Sequence, residues 1–323
     1  MFQKKRIVGC SVLLLWICLL AVQLWLNDRV QSFDMSGQWA ADREYHHVSG
    51  YFSSYREITT SSIEQIRMQL TKTLKQNRII AEESESHIWG DAYSTSCTLT
   101  VSGSYGTVQA TVVGVGGDFF WFHPMKWSCG NAFLPDSAGK NIVLTKSCAW
   151  ALLGGVDVAG LTVEIGKNTY QISGVAEDDT DLFAADAGAD EYTVYMPYAL
   201  LQEENPEIVI TQYEIVYPEL VSGYAEKQMR QAAERFGKDT VIVDQTNRHL
   251  PGSRWKMILT LDQQVMKTDN VQFPAWENEA RGWLLLLSVV TFVWTVITIT
   301  LVIIAGWMVS GVCHIRRRNR QYG

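Results

Sequence analysis

Two long, strongly apolar stretches of the chain carry no charged side chain: Ile7 to Leu26 and Gly282 to Val312. A helix needs roughly 20 apolar residues to cross a bilayer, and a helix satisfies its own backbone groups in lipid. Both runs therefore predict transmembrane helices. The second is longer than a bilayer requires, which predicts tilt or a helix projecting beyond the membrane on its outer side.

Between the runs the pattern changes to short alternations and short helical faces. Residues 27–60 read as an irregular connection followed by an extended approach. Ser61 and Glu64 have capping-box spacing, and Ile63, Ile66, Leu70 and Leu74 recur on one helical face that ends near Asn77. Cys97, Leu99 and Val101 alternate with Thr98 and Thr100, and Val108, Ala110 and Val112 repeat the spacing after a polar turn at 102–106. A strand over 141–144 leads into a short helix over 145–153 that stops at Gly154-Gly155. Residues 161–165 and 169–175 form a hairpin around Gly166-Lys167-Asn168, and 192–196 is a strand closed by Pro197. Residues 207–217, 222–236 and 240–244 then read as strand, helix and strand. The helical face there carries Ala225, Met229, Ala232 and Phe236. The segment 255–265 fits helix or strand.

This pattern predicts an α+β domain, 27–281, of two small subdomains, the second about 207–245, set between helices at 7–26 and 282–312. The tails are 1–6 and 313–323. Charge orients the chain. Lys4, Lys5 and Arg6 precede the first run, and Arg316, Arg317, Arg318 and Arg320 follow the second. Basic residues stay cytoplasmic, so both termini face inward and the domain is extracytoplasmic, in the plasma or inner membrane. The whole chain is at −7 although these seven basic residues sit in its tails. The domain is thus strongly acidic, which excludes a nucleic-acid partner because phosphate binding needs a basic surface. A cleaved signal peptide would share the basic start, but Ala21-Val22-Gln23 is a poor cleavage site, and Trp25 and Leu26 prolong the apolar run. Of six cysteines, Cys10, Cys18 and Cys313 lie in or beside the membrane. Cys97, Cys129 and Cys148 lie outside, where disulfides persist. Cys129 and Cys148 are a candidate disulfide, with free buried thiols the alternative; Cys97 is expected unpaired.

Candidate chemistry is sparse. His46-His47 reads as part of a solvated loop, since neighbouring histidines point apart and no matching ligand spacing accompanies them. The glycines at Gly114, Gly116 and Gly117 suit a turn, not a phosphate cradle, because nucleotide-binding spacing is absent. The acidic run Glu177, Asp178, Asp179, Asp181, Asp186, Asp190, Glu191 lacks EF-hand order and reads as a solvated loop, a weak cation site being the alternative. His123 reads as a core or edge histidine. No Gly-x-Ser-x-Gly elbow occurs. The expectation is a non-enzyme with no metal and no cofactor.

The stretches ATVVGVGGDFFWFHPMKWSCGNAF (110–133), NIVLTKSCAWALLGGVDVAGLTVEIGKNTYQISGVAED (141–178) and YTVYMPYALL (192–201) resemble, in that order, the MacB-type periplasmic core domain of ABC transporter permeases (the MacB/FtsX-like family). The resemblance rests on Gly114, Gly117, Phe119, Phe120, Gly130, Phe133, Gly154, Gly160, Gly174 and Pro197, a packing signature with no catalytic group. It implies a permease-type subunit whose outer domain transmits ATPase-driven motion or binds a substrate or partner, working with an ABC-type ATPase and membrane lipid. His314 to Gly323 resembles the start of that family's coupling segment, after which two further membrane helices would follow. A split or truncated permease completed by a second permease chain is the expectation. Ser288, Thr291, Thr295 and Thr298, at helical spacing, could face that chain or lipid. The competing class is a membrane-anchored ligand-binding or sensor protein.

Overall fold

The computed structural model describes residues 2–40, 42–79, 88–135, 139–184, 186, 192–237, 240–259, 267–268 and 271–321; side chains are described from 11 to 307, except 267–268. The elements in chain order are α1 (Phe2–Gln31), α2 (Ser36–Trp39), β1 (Tyr45–Phe52), α3 (Thr60–Gln76), β2 (Gly90–Ser102), β3 (Thr107–Gly117), α4 (Phe119–Phe122), β4 (Trp127–Gly130), β5 (Asn141–Thr145), α5 (Lys146–Leu153), β6 (Thr162–Ile165), β7 (Asn168–Ala176), β8 (Thr193–Pro197), α6 (Tyr198–Glu204), β9 (Gln212–Pro218), α7 (Tyr224–Ala233), β10 (Thr240–Asp244), α8 (Pro251–Leu259), β11 (Lys267–Thr268), β12 (Val271–Gln272) and α9 (Ala275–Gln321). A 3₁₀ turn, Glu234–Phe236, extends α7. The chain divides into two compact units: one holds Met1–Ser32, Arg248–Asp262 and Arg281–Gly323, the other Phe33–Asn247 and Gln263–Ala280.

The larger unit is built on one sheet in the order β10-β1-β9-β2-β3-β8-β5-β7-β4, with β6 paired to both β2 and β7. The path β2-β3-β8-β5-β7-β6 therefore closes on itself. The long strand β2 makes this possible. Its first residues, 90–94, pair with β9 and its last, 101–102, with β6. One strand thus belongs to the ring and to the wing β9-β1-β10. The segment 207–245 supplies β9, α7 and β10 of that wing, and the sheet runs unbroken from wing to ring.

Side-chain alternation gives the wing two faces. On one, Val48, Phe52, Tyr213, Ile215 and Tyr217 join Ile63, Ile66, Leu70 and Leu74 of α3 and Ala225, Met229 and Ala232 of α7 in a continuous apolar core. Each fully buried aliphatic side chain contributes about 1.5–3 kcal/mol. Gly50 lets α7 approach: a Cβ there would lie 2.6 Å from Met229 Cε. Helix α3 starts at Thr60, one residue before Ser61, where the sequence pattern begins it. Its capping box is Thr59 with Ser62, because the first hydroxyl in the Thr59-Thr60-Ser61-Ser62 run with extended backbone takes the cap.

Several expectations change. Residues 45–52 form the central wing strand β1, where the sequence suggested only an extended approach. Strand β9 begins at Gln212, five residues after the apolar run does, and 251–259 is helical. Cys129 and Cys148 are not bridged. Cys129 Sγ instead donates to the Val156 carbonyl at 2.9 Å, and Cys148 is fully buried in the apolar core. Burial, with the nearby Asp178 charge, pushes the Cys148 thiol up to about 12, so it lacks the thiolate that oxidation needs. Cys97 is also free.

The smaller unit is inside-out relative to a water-soluble fold. Leu13, Leu14, Ile17, Val293, Val296, Ile299 and Val302 are exposed, while Ser288 and Thr291 are buried. Trp16 Nε1 donates to Thr298 Oγ1 at 2.8 Å, Trp16 packs on Trp294 at 5.2 Å, and Trp25 on Trp283 at 5.6 Å. Thr298 and Thr291 of the Ser288–Thr298 stripe therefore meet this chain's own α1 and α8. Each of the stripe's hydroxyls also bonds to the carbonyl four residues back, which leaves none unsatisfied in an apolar medium. The basic residues Lys4, Lys5, Arg6, Arg316, Arg317, Arg318 and Arg320 lie on α1 and α9; their side chains fall outside the described ones.

Candidate functional site: a buried histidine–carboxylate network

The second face of the wing is polar. His47, Ser49 and Tyr51 project from it on β1, and Gln212 and Glu214 on β9; all are buried. Glu214 is the centre, 2% exposed. His123 Nε2 lies 2.6 Å from its Oε2. Ser49 Oγ donates to its Oε1 at 2.9 Å, and His47 Nε2 is 3.5 Å from the same oxygen. The Met35 backbone N–H donates to His47 Nδ1, an arrangement that assigns the proton to Nε2, facing the carboxylate. Burial works to raise the Glu214 pKa. The charge and hydrogen bond of His123, with His47, outweigh it and hold the carboxyl well below its usual range. A buried carboxylate persists only when paired in this way.

The network extends. Gln245 Nε2 donates to Ser49 Oγ at 3.0 Å and to Glu277 Oε2 at 3.1 Å, and Tyr51 OH donates to Glu277 Oε2 at 2.9 Å. Glu277 sits in the first turn of α9, beside Trp276. The Trp276 ring packs against His123 at 4.6 Å and Phe119 at 5.8 Å. Three segments distant in sequence, β1, β9 and the start of α9, are therefore joined by charge-assisted bonds under an aromatic cover from α4.

His46 faces the opposite side of β1. Its Nδ1 lies 3.0 Å from Asp244 Oδ2, with Glu219 at 3.8 Å and Glu44 at 3.7 Å. Burial alone would lower its pKa, but these carboxylates raise it on balance. Glu219 also accepts backbone N–H bonds from Gly223, Tyr224 and Ala225, placing a carboxylate at the positive N-terminus of α7. The solvated loop expected at His46-His47 is thus a buried strand. The missed signal is the alternation Tyr45, His47, Ser49, Tyr51, together with a lone glutamate inside the apolar run QYEIVYP. Among the described residues, no group of three or more His, Cys, Asp or Glu is placed to hold a metal ion. A cleft of about 410 Å³ is lined by Trp39, Ala40, Asp42, Tyr45, Ile88 and Trp121.

The acidic run is partly tied down. Glu177 pairs with Lys146 at 2.8 Å and accepts from Ser128, and Asp178 accepts from the Ser147 N–H and hydroxyl at the start of α5. Asp190 and Glu191 lie outside the described residues.

Residues 30–238 match the model of the MacB-like periplasmic core domain. The chain belongs to the family of MacB-like periplasmic core domains. Two helices long and apolar enough to cross a membrane, Ser11–Gln31 and Ala275–Trp307, flank it. Among solved structures, the periplasmic region of MacB from Actinobacillus actinomycetemcomitans aligns at 16% identity and TM-score 0.46, covering 68% of this chain and 94% of that one. The extracellular domain of the ABC-type transporter YknZ from Gram-positive bacteria aligns at 12% identity and TM-score 0.41, covering 61% of this chain and 100% of that one. A search of curated proteins finds no matching sequence.

The residues that carried the MacB-like resemblance lie at turns, strand pairs, a helix end and the aromatic cluster. Gly117 has φ +64°, and a Cβ there would run into the Asp91 carbonyl; this turn lets Asp118 start α4. Phe119 and Phe133 are buried, and Phe120 packs edge-on against Phe133 at 5.1 Å. Gly114 lies in β3 against Leu201 of α6. Gly130 and Gly174 are opposite one another in the β4–β7 pair. Gly154 caps α5, Gly160 N–H donates to the Ile172 carbonyl, and Pro197 ends β8 opposite Val115.

Proposed function

We propose that this chain is a non-enzymatic, permease-type subunit of an ABC export or signalling system, with both termini cytoplasmic and the sheet domain outside. The observation that carries this reading is the MacB-like core domain placed between two helices able to span a membrane. Family members of this kind work with an ABC-type ATPase, and that ATPase together with a second permease chain are the proposed partners. The outer domain passes ATPase-driven motion to a substrate or partner outside. Its buried network supports transmission over catalysis: Glu214 is bonded to His123 and Ser49, with His47 3.5 Å away, and aromatic rings cover the cluster, so these groups are placed to hold strands and α9 in register, not to meet a substrate.

Reconstitution tests the proposal. Proteoliposomes receive the chain with an ABC-type ATPase and a second permease chain encoded by neighbouring reading frames, where such frames exist, singly and together, and ATP turnover is measured. Turnover should rise only when all three are present. Stimulation by the chain alone would exclude the second permease chain; no physical association in any combination would leave the sensor reading standing. Orientation is checked separately with an impermeant ketone-reactive dye at Ser104 or Gln321, each replaced by a keto amino acid; labelling of intact cells at Gln321 but not at Ser104 would reverse the topology.

A further inference from the structure

Helix α8 is built the wrong way round for a helix in water. Its inward side carries Arg254 and Met257, both buried. The Arg254 guanidinium reaches Asn27 Oδ1 at 2.6 Å on α1 and Thr291 Oγ1 at 3.5 Å on α9. Its Nε donates to the His249 carbonyl at 2.8 Å. Its outward side carries Pro251, Gly252, Trp255, Lys256 and Leu259, a single face at helical spacing, and all are exposed. Leu259 is 79% exposed, and Leu250, just before the helix, 42%. A helix that turns its arginine inward and its leucine and tryptophan outward gains nothing from water.

Two further observations say what the outward face meets. Trp255 packs edge-on against Phe292 at 6.1 Å, and Phe292, inside the uncharged run of α9, is itself 45% exposed. The apolar surface of α8 is therefore continuous with the surface that α9 presents around its apolar run. In addition, the outward face pairs tryptophan and lysine with leucine. This combination suits the boundary between headgroups and acyl chains, where an indole ring is stable and a lysine stem lies along apolar surface while its ammonium reaches water.

We infer that α8 is an interfacial helix, lying on the lipid bilayer at the outer end of the two spanning helices with Leu250, Trp255 and Leu259 inserted and Lys256 among the headgroups. Arg254 is its positioning residue, pinning α8 to both spans. This deepens the membrane reading of α1 and α9 and rests on it.

The test places a nitroxide at one position of the otherwise native full chain through a keto amino acid at Leu259, Ser104 or Val302, all three exposed. Each labelled chain is reconstituted in nanodiscs of phosphatidylcholine and phosphatidylglycerol. Electron paramagnetic resonance then compares accessibility to oxygen, which partitions into lipid, and to a water-soluble nickel chelate. At Leu259 the oxygen-to-nickel ratio should stand several-fold above that at Ser104 and below that at Val302. A Leu259 ratio equal to that at Ser104 would place α8 in water and overturn the inference. Shielding of Leu259 from both reagents would overturn it in favour of a protein partner. A water-like ratio at Val302 as well would sink the membrane reading itself, which keeps the two failures apart.

Discussion

The two faces of the wing use the same strands to opposite ends. One face buries Val48, Phe52, Ile215 and Tyr217 under Ile63, Ile66, Leu70 and Leu74. The other buries His47, Ser49, Tyr51 and Glu214 under α4 and the first turn of α9. The apolar face gains stability from area alone and tolerates exchange of one aliphatic residue for another. The polar face gains little net energy, because each buried charge must first be desolvated. What it adds is selectivity: the Glu214 oxygens are satisfied only when β1, β9 and His123 stand in one register. Buried polar networks penalise every partly satisfied alternative. This domain is held together by one face and held in register by the other.

Unfolding of the full chain in nanodiscs by urea, followed by circular dichroism, measures what each face contributes. The largest effect is expected from Glu214→Leu, about 3–5 kcal/mol, because His123 and His47 lose their common partner in a buried site. Adding His123→Leu should restore more than half of that loss, since a buried pair replaced by apolar groups is nearly neutral. A double variant no better than the single one would show that the pair is not the working unit. On the opposite face, Leu70→Ala should cost about 3 kcal/mol through the cavity it leaves, and no second substitution on the polar face should change that figure. Coupling between the two faces would show that they are not independent.

Smaller effects sharpen the contrast. Tyr51→Phe removes the bond from Tyr51 OH to Glu277 Oε2 and the longer one it accepts from Gln245 Nε2, about 1–2 kcal/mol; a loss comparable to that of Leu70→Ala would mean that the start of α9 depends on this hydroxyl. The smallest effect concerns pH. The folded pKa of His46 lies above its ordinary value of 6.5. Its contribution is therefore fully present below that value and is lost as pH rises through the folded one. Glu214 is depressed from 4.5, so its contribution is present above that value and is lost only as pH falls through a much lower one. Between about pH 6 and 8, where histidines titrate, His46→Asn should flatten the fall of stability with rising pH. An unchanged slope would assign that fall to another group.

Much of the apolar face was legible beforehand. The α3 positions Ile63, Ile66, Leu70 and Leu74 and the α7 positions Ala225, Met229 and Ala232 were readable from spacing, since helical period and burial are both local signals. The polar face was not. His46-His47 looked like a solvated loop, because nothing near them in sequence supplies Glu214 or Asp244. The candidate disulfide failed for the same reason. Compartment and spacing permit a bridge between Cys129 and Cys148, but Cys129 is turned to the Val156 carbonyl and Cys148 into the apolar core.

The two apolar helices, the order of most strands, the covering faces of α3 and α7, and the family are all readable from the amino-acid pattern alone. Each of these depends on residues within one element, or on an ordered set of turns and packing residues along the chain. Only the tertiary structure decided that β2 would join ring to wing, that Glu214 would sit between His47 and His123, that Glu277 would close the network from the start of α9, and that α8 would turn Arg254 inward and Leu259 outward. Those outcomes depend on strand pairing and on partners from about 30 to more than 200 residues apart, or on which side of a helix its neighbours occupy. Local periodicity carries no record of either.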